Sequence, residues 1–359
     1  MLKFHPLPVT SVERVAEDAV SVTLAIPAAL REEFSFHSGQ YVPVRRMIDG
    51  REQRRTYSIV TTPGCGKLRL GIRIQSGGLM SGEFANSLRP GDMLDVGAPT
   101  GRFRTQLDPA RTHCYVAFAA GSGITPVLSL AADILAREPA SRFTLVYGNR
   151  SISSTMFLED TLALKDLYLD RFAVHFLMSR EPQQTALLNG RIDGAKVAEL
   201  ARRFAEIATA DEYFICGPGG MVDEVREAIK SLNGGAVIRI ERFANAAPPS
   251  GPNIDRAGAT PVAQAVLATI TVTMDGRRRS FVMAPSDLSV LDAAEHAGLE
   301  LPFSCRAGIC ATCRAKIVEG QAVMTHNIAL QPWEVDAGFV LCCQARPTSA
   351  SLEINYDEK

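Results

Sequence analysis

Three cysteines, Cys305, Cys310 and Cys313, fall within nine residues, and Cys343 follows after a long gap. The run reads Ser304-Cys305-Arg306-Ala307-Gly308-Ile309-Cys310-Ala311-Thr312-Cys313. C-x4-C-x2-C followed by a distant cysteine is the spacing that holds a plant-type [2Fe–2S] cluster. Two irons and two sulfides need four thiolates in one small volume. One loop supplies three of them, with Gly308 permitting tight curvature and loop amides free to point at sulfur. Neighbours in an extended segment face opposite ways, so only one of Cys342 and Cys343 can ligate, and we assign Cys343. Structural zinc sites of four cysteines use two separated C-x2-4-C pairs, which this is not. Eight cysteines in 359 residues are too sparse for a disulfide framework. A cluster of this kind moves single electrons, so the rest of the chain must supply or consume them.

A second group suits a flavin. In Arg55-Thr56-Tyr57-Ser58, strand alternation puts Arg55 and Tyr57 on one face and Ser58 on the other. An arginine can fork onto phosphate, a tyrosine ring can lie against a flat heterocycle, and a serine hydroxyl can bond a ring nitrogen. Further on, Gly77-Gly78-Leu79-Met80-Ser81 lets backbone approach a ligand. Ser81 reads as the N-cap of a helix reaching about Leu88, whose free amides make an anion site. An ordinary capped turn is the plainer reading of the glycines.

A third group suits a dinucleotide. Gly121-Ser122-Gly123-Ile124-Thr125-Pro126 lies between a strand and a helix; its glycines permit a tight turn and close approach of a pyrophosphate, and Pro126 suits a first helical turn. It departs from G-x-G-x-x-G at the last position. A second glycine turn, Cys216-Gly217-Pro218-Gly219-Gly220, follows a later strand of the same sheet. For NAD an acid is expected at the end of the second strand. Tyr147-Gly148-Asn149-Arg150 offers none, and the third strand ends in Ser179-Arg180. Two arginines and a serine suit a 2′-phosphate, so NADPH is expected over NADH; solvated loop charge is the competing reading of both arginines.

These groups need three kinds of scaffold. Residues 1–106 read as short alternating strands, such as Val20–Leu24 and Leu68–Ile74, punctuated by Ser38-Gly39, Asp49-Gly50, Pro63-Gly64 and Pro90-Gly91, which predicts a small antiparallel β-barrel. Residues 112–243 alternate apolar strands with helices, which predicts a doubly wound parallel sheet. Residues 244–264, with Pro248-Pro249-Ser250-Gly251-Pro252, read as a linker. Residues 265–359 open on an alternating strand at Ala268–Thr273 and carry a helix, Val290–Ala297, before the cysteine loop.

The bulk properties exclude other classes. Formal net charge is −1, with 46% hydrophobic and 21% charged residues, so no field recommends nucleic acid or an anionic membrane. The start, Met1-Leu2-Lys3-Phe4-His5-Pro6, has no signal-peptide core, and a cytoplasmic location is expected. Cys114 to Ala132 carries no formal charge, but Gly121, Ser122, Gly123, Thr125 and Pro126 in its middle argue for strand, turn and helix rather than a membrane span.

Taken together, the chain resembles the ferredoxin–NADP reductase superfamily with a plant-type ferredoxin fused at its C-terminus, in the order flavin, nucleotide, cluster. Phe36-His37-Ser38-Gly39-Gln40-Tyr41 and Pro99-Thr100-Gly101-Arg102-Phe103 join the flavin motif; Ser179-Arg180-Glu181 and Cys216-Gly217-Pro218 join the nucleotide motif. Within the superfamily it is similar to the reductase subunits of phenylacetyl-CoA epoxidases, through Tyr115–Gly123, Leu145–Arg150 and Glu241-Arg242-Phe243. The resemblance implies an N-terminal FAD barrel, an NADP domain and a C-terminal β-grasp ferredoxin domain. It implies that Arg55 holds the flavin phosphate, Tyr57 packs on the isoalloxazine, Ser58 bonds near N5, and Gly78 and Ser81 take the pyrophosphate. It further implies that Cys216 sits beside the nicotinamide and that Glu241 and Phe243 end the module near the flavin. The expected path is NADPH to FAD to [2Fe–2S] to an oxygenase component, a di-iron enzyme acting on an aromatic acyl-CoA, with Arg306 and Ile309 candidates for docking. A Rieske-type, NADH-dependent oxygenase reductase and a redox sensor without turnover are the alternatives.

Overall fold

The computed structural model describes residues 3–243 and 267–358. The expected linker at 244–264 lies outside the described residues. The chain divides into two compact units, one within residues 4–245 and one within 246–359.

The first unit begins with a six-stranded antiparallel sheet, β1 (Phe4–Ala16), β2 (Ala19–Ala25), β3 (Tyr41–Ile48), β4 (Arg51–Ser58), β5 (Lys67–Arg73) and β6 (Met93–Gly97), in the order β4-β3-β6-β1-β2-β5. Its period-two pattern sets register: Val20, Val22 and Leu24 of β2 stand opposite Ile72, Leu70 and Leu68 of β5. Ile59, just past β4, bridges Leu70, so the two edges of the sheet meet as a barrel. Helix α1 (Leu79–Asn86) covers the core with Met80 and Phe84, both buried.

Beyond it, β7 (Cys114–Ala120), β8 (Arg142–Asn149), β9 (Phe172–Met178), β10 (Glu212–Pro218) and β11 (Val237–Phe243) form a parallel sheet ordered β11-β10-β7-β8-β9. Helices α2 (Ile124–Arg137), α3 (Leu158–Leu167), α4 (Gly194–Arg203), α5 (Ala205–Thr209) and α6 (Gly219–Leu232) connect the strands. Near-continuous burial along β7, β8 and β10 is what a sheet covered on both faces requires. Strand order reverses between β7 and β10, and open α/β sheets bind ligands outside the carboxyl ends at such a point. The barrel packs closely onto α2. A Cβ at Gly71 of β5 would stand 2.4 Å from Thr125 Cγ2, and one at Gly39 would stand 3.2 Å from Leu130 Cδ1.

The second unit is a mixed five-stranded sheet of β12 (Ala268–Met274), β13 (Arg277–Met283), β14 (Arg314–Met324), β15 (Phe339–Leu341) and β16 (Ala345–Asn355), ordered β13-β12-β16-β14-β15. Helix α7 (Val290–His296), capped by Ser289 Oγ accepting from the Asp292 amide at 3.2 Å, buries Val290, Leu291, Ala293 and Ala294 in its core. A short α8 (Pro332–Asp336) precedes β15.

Candidate redox site

At the switch point, parallel register sets Cys216 of β10 beside Ala119 of β7 and Glu241 of β11. Ser58, at the end of barrel strand β4, donates from Oγ to Glu241 Oε1 at 3.2 Å. Three residues spread over most of the first unit's length thus meet where barrel and sheet join. Burial pushes the Glu241 carboxyl up from 4.5 to about 8, with the Ser58 hydrogen bond opposing the rise. Burial, then the Glu241 charge, raises the wholly buried Cys216 thiol well above its ordinary value. Gly123 completes the junction: a Cβ there would stand 2.1 Å from the Cys216 carbonyl oxygen, so only glycine admits this approach of turn and strand.

A raised carboxyl has a consequence for stability. Between about pH 4.5 and 8 the folded chain keeps a proton on Glu241 that the unfolded chain has released. The folded state then binds more protons, so stability falls as pH rises through this window. Glu241→Gln is expected to remove that share of the fall. Melting temperatures compared from pH 5 to 8 should therefore drop less steeply for the variant than for wild type, and equal slopes would show that another group is responsible.

Tyr57 lies half-buried on β4 with its ring 5.6 Å from that of Phe84, while Arg55 is exposed and donates to the Arg54 carbonyl at 2.7 Å. The expected helix after the glycines starts earlier than the sequence suggests. Gly78, not Ser81, is the N-cap of α1, and the helix runs from Leu79 to Asn86. Ser81 sits inside the first turn, where its hydroxyl accepts from the Gln75 amide at 3.0 Å and donates to the Gly78 carbonyl at 3.2 Å. The serine therefore braces the glycine loop from within, and among the described residues no side chain caps α1. Its first-turn amides are left for an anion, which fits a flavin phosphate.

At the nucleotide edge, Gly121 adopts φ +56° and Thr125 Oγ1 donates to the Ser122 carbonyl at 2.9 Å; Pro126 is buried in the first turn of α2. Tyr147, deep in the core, donates to the Gly121 carbonyl at 3.0 Å, an anchor that its place in the Tyr147–Arg150 run did not disclose. Arg150 and Arg180 are neighbours: the Arg180 amide donates to the Arg150 carbonyl at 2.9 Å, and the Ser179 amide to the Asn149 carbonyl at 2.9 Å. Arg150, however, is ion-paired with Asp18 of the β1–β2 turn, which also pairs with Arg73. No sequence signal marked Asp18, because its turn is remote from both arginines in the chain. Gly217 follows Cys216 in β10, and Phe243, opposite Pro218, is half-buried against the sheet core.

In the second unit, the cysteine loop bends through positive φ at Arg306, Gly308 and Ala311. A Cβ at Gly308 would stand 2.7 Å from the His326 carbonyl oxygen. The amides of Ala307, Ile309 and Cys310 point at Cys305 Sγ from 3.4, 3.5 and 3.4 Å. With the hydrogen bond from Cys310 as the larger cause, they draw the Cys305 thiol down to about 5. Cys313 and Cys343 act on each other as well: the Cys313 thiol is raised well above its ordinary value and the Cys343 thiol is lowered, each chiefly by the other. The adjacent Cys342 is fully buried, and burial lifts its thiol to about 12, with nearby Tyr356 opposing the rise. Two thiol pairs with amides aimed at sulfur fit a two-iron cluster, and the buried Ser304 hydroxyl beside them has no partner among the described residues.

Comparison with known proteins agrees with this geometry. The oxidoreductase FAD-binding domain family matches residues 6–105, the oxidoreductase NAD-binding domain family residues 118–227, and the 2Fe-2S iron-sulfur cluster binding domain family residues 272–348. The chain belongs to the ferredoxin–NADP reductase superfamily, in the branch that carries a C-terminal [2Fe–2S] ferredoxin domain. It is 39% identical to a subunit of the 1,2-phenylacetyl-CoA epoxidase of Escherichia coli (strain K12), over 100% of this chain and 99% of the relative. It is 29% identical to the 3-ketosteroid-9-alpha-monooxygenase ferredoxin reductase component of Rhodococcus rhodochrous, over 98% of this chain and 96% of the relative. The fold matches that of phthalate dioxygenase reductase with a TM-score of 0.58 at 23% identity, over 98% of each chain. The protein is an oxidoreductase, the electron-transfer reductase of an oxygenase system. Among the described residues no helix is long and apolar enough to cross a membrane.

Proposed function

We propose that this chain takes reducing equivalents from NADPH and delivers them, through FAD and a [2Fe–2S] cluster, to a di-iron oxygenase of the phenylacetyl-CoA epoxidase type. The meeting of Ser58, Cys216 and Glu241 at the switch point carries the reading. The identity to the epoxidase subunit supports the choice of acceptor. When bound, FAD supplies hydride acceptance from a nicotinamide and the cluster supplies one-electron carriage.

The residues divide the work. Arg55 and the uncapped start of α1, with Gly78 and Ser81, hold the flavin phosphates. Tyr57 and Phe243 present rings to the isoalloxazine. Glu241 keeps its proton at neutral pH, and Ser58 Oγ shares the hydrogen bond at its Oε1, next to where Cys216 meets the nicotinamide. Gly121, Gly123, Thr125 and Pro126 shape the turn for the pyrophosphate, and Gly217 lets backbone close on the nicotinamide end. Arg150, Ser179 and Arg180 receive the 2′-phosphate, which is the basis for NADPH over NADH. Cys305, Cys310, Cys313 and Cys343 would hold the cluster. We assign residues 1–106 to FAD, 112–243 to NADP and 265–359 to the cluster, with 244–264 between them, and the cytoplasm as location.

Anaerobic addition of NADPH to the purified holoprotein is expected to bleach flavin and cluster absorbance together. A kcat/KM higher for NADH than for NADPH would overturn the nucleotide assignment. NADPH oxidation that fails to rise when phenylacetyl-CoA and the epoxidase oxygenase subunits are added would overturn the acceptor.

A further inference from the structure

The nucleotide edge contains an acid the strand-end pattern does not supply. Asp18 lies in the tight turn between β1 and β2, on the barrel, yet its two carboxylate oxygens serve two arginines: Oδ1 pairs with Arg73 Nη1 and Oδ2 with Arg150 Nη2. Arg73 ends β5, and its guanidinium lies 3.7 Å from the Cβ position of Gly121. Arg150 leaves β8 beside Ser179 and Arg180. The turn is fastened to the loop after β8: the Glu17 amide donates to the Ser153 carbonyl at 2.9 Å, and Ser153 Oγ to Glu17 Oε2 at 2.8 Å. Asp18 is thus built into place rather than left to swing. Arg73 keeps a second partner, the Ser154 carbonyl at 3.0 Å, whereas the described residues give the Arg150 side chain Asp18 alone.

We propose that Asp18 is a specificity-determining residue: its carboxylate is the resting counter-ion of Arg150 and lowers the preference of this chain for nucleotides bearing a 2′-phosphate. The inference rests on the assignment of Arg150 to that phosphate. A dianionic phosphate can take Arg150 only by displacing the Asp18 oxygen, and it then lies near a carboxylate of its own sign. A ribose 2′-hydroxyl has no need to displace it. The pair is half-exposed, with side chains 44% and 26% accessible for Arg150 and Asp18, so water can take over from the displaced partner and the effect is one of degree.

The test is a double-mutant cycle on the holoenzyme. Asp18→Asn keeps size, removes the charge and leaves one acceptor oxygen in place of two. It is expected to raise the NADPH:NADH ratio of kcat/KM about fivefold, the scale of one partly exposed ion pair, through KM for NADPH. Adenosine 2′-monophosphate, titrated by calorimetry, should bind tighter by a similar factor. Asp18→Glu should stay near wild type, which a turn merely needing its aspartate for folding would not allow. Combined with Arg150→Ala, the Asp18→Asn gain should vanish. If Arg150→Ala lowers the ratio but Asp18→Asn leaves it and the adenosine 2′-monophosphate affinity unchanged, the Asp18 inference fails alone. If Arg150→Ala changes neither quantity, the 2′-phosphate assignment fails and takes the inference with it.

Discussion

Replacing Cys310 with serine is expected to strip the cluster from the second unit while the first unit still takes hydride from NADPH. Cys310 is 8% exposed, its sulfur accepts from the Cys305 amide at 3.5 Å, and it pairs with Cys305 inside a loop bent through three left-handed residues. A serine hydroxyl is a poor, protonated donor at neutral pH, and the loop has no slack to bring another group forward. Loss of an outer partner of a metal site costs about ten- to a hundredfold, so loss of a ligand should cut acceptor reduction by more than about a hundredfold. The flavin and nucleotide residues lie in a unit with its own core, so flavin bleaching on NADPH addition should survive. Iron content, visible spectra and stopped-flow flavin reduction read these separately. Cys342→Ser is the control: its thiol turns into the core toward Tyr356, and that variant should keep its iron. A Cys310→Ser protein with full iron, or one in which flavin reduction is lost as well, would count against the assignment.

Gly123→Ala is expected to slow flavin reduction sharply with the cluster intact. The added methyl would stand 2.1 Å from the carbonyl oxygen and 2.7 Å from the carbonyl carbon of Cys216, and backbone cannot yield as a flexible side chain does. Either the Gly121–Gly123 turn or the Cys216–Gly217 peptide must move. The first is the turn proposed for the pyrophosphate, and the second carries the residue next to Glu241. Overpacking of this kind costs about 1–3 kcal/mol of stability. A misplacement of about 1 Å at a reacting centre can cost about a hundredfold in rate. Stopped-flow reduction by NADPH should fall by about that factor, while the cluster spectrum, set in the other unit, stays as in wild type. A variant that reduces its flavin at the wild-type rate would show that the contact does not position Cys216.

How much of this was legible in one dimension depends on how far apart the partners are. The cysteine loop announced itself because three donors sit on one short segment and cluster spacing is a local property. The barrel and the doubly wound sheet were legible because period-two and strand–helix alternation are local as well: Val20, Val22 and Leu24 and the buried run from Tyr115 to Ala119 carry their own faces. The glycine turns were legible for the same reason. Ser81 lies inside the helix rather than before it: a serine before a helix and a serine in its first turn look alike until the backbone fixes which residue leaves the extended region, and that residue is Gly78.

By itself, then, the order of residues determined three scaffolds, the three-cysteine loop and the two glycine turns, since each arises from spacing along one strand or loop. Only the tertiary structure decided what depends on distant segments meeting. It brought Ser58 of the barrel onto Glu241 of the last sheet strand, raising a carboxyl to about 8 by burial. It turned Cys342 into the core and Cys343 toward Cys313. It also set Asp18 between Arg73 and Arg150, so that the charge offered to a nucleotide is not the sum of the arginines in the sequence. Coulomb interaction and desolvation act through space, and the chain reveals them only once folding has chosen the neighbours.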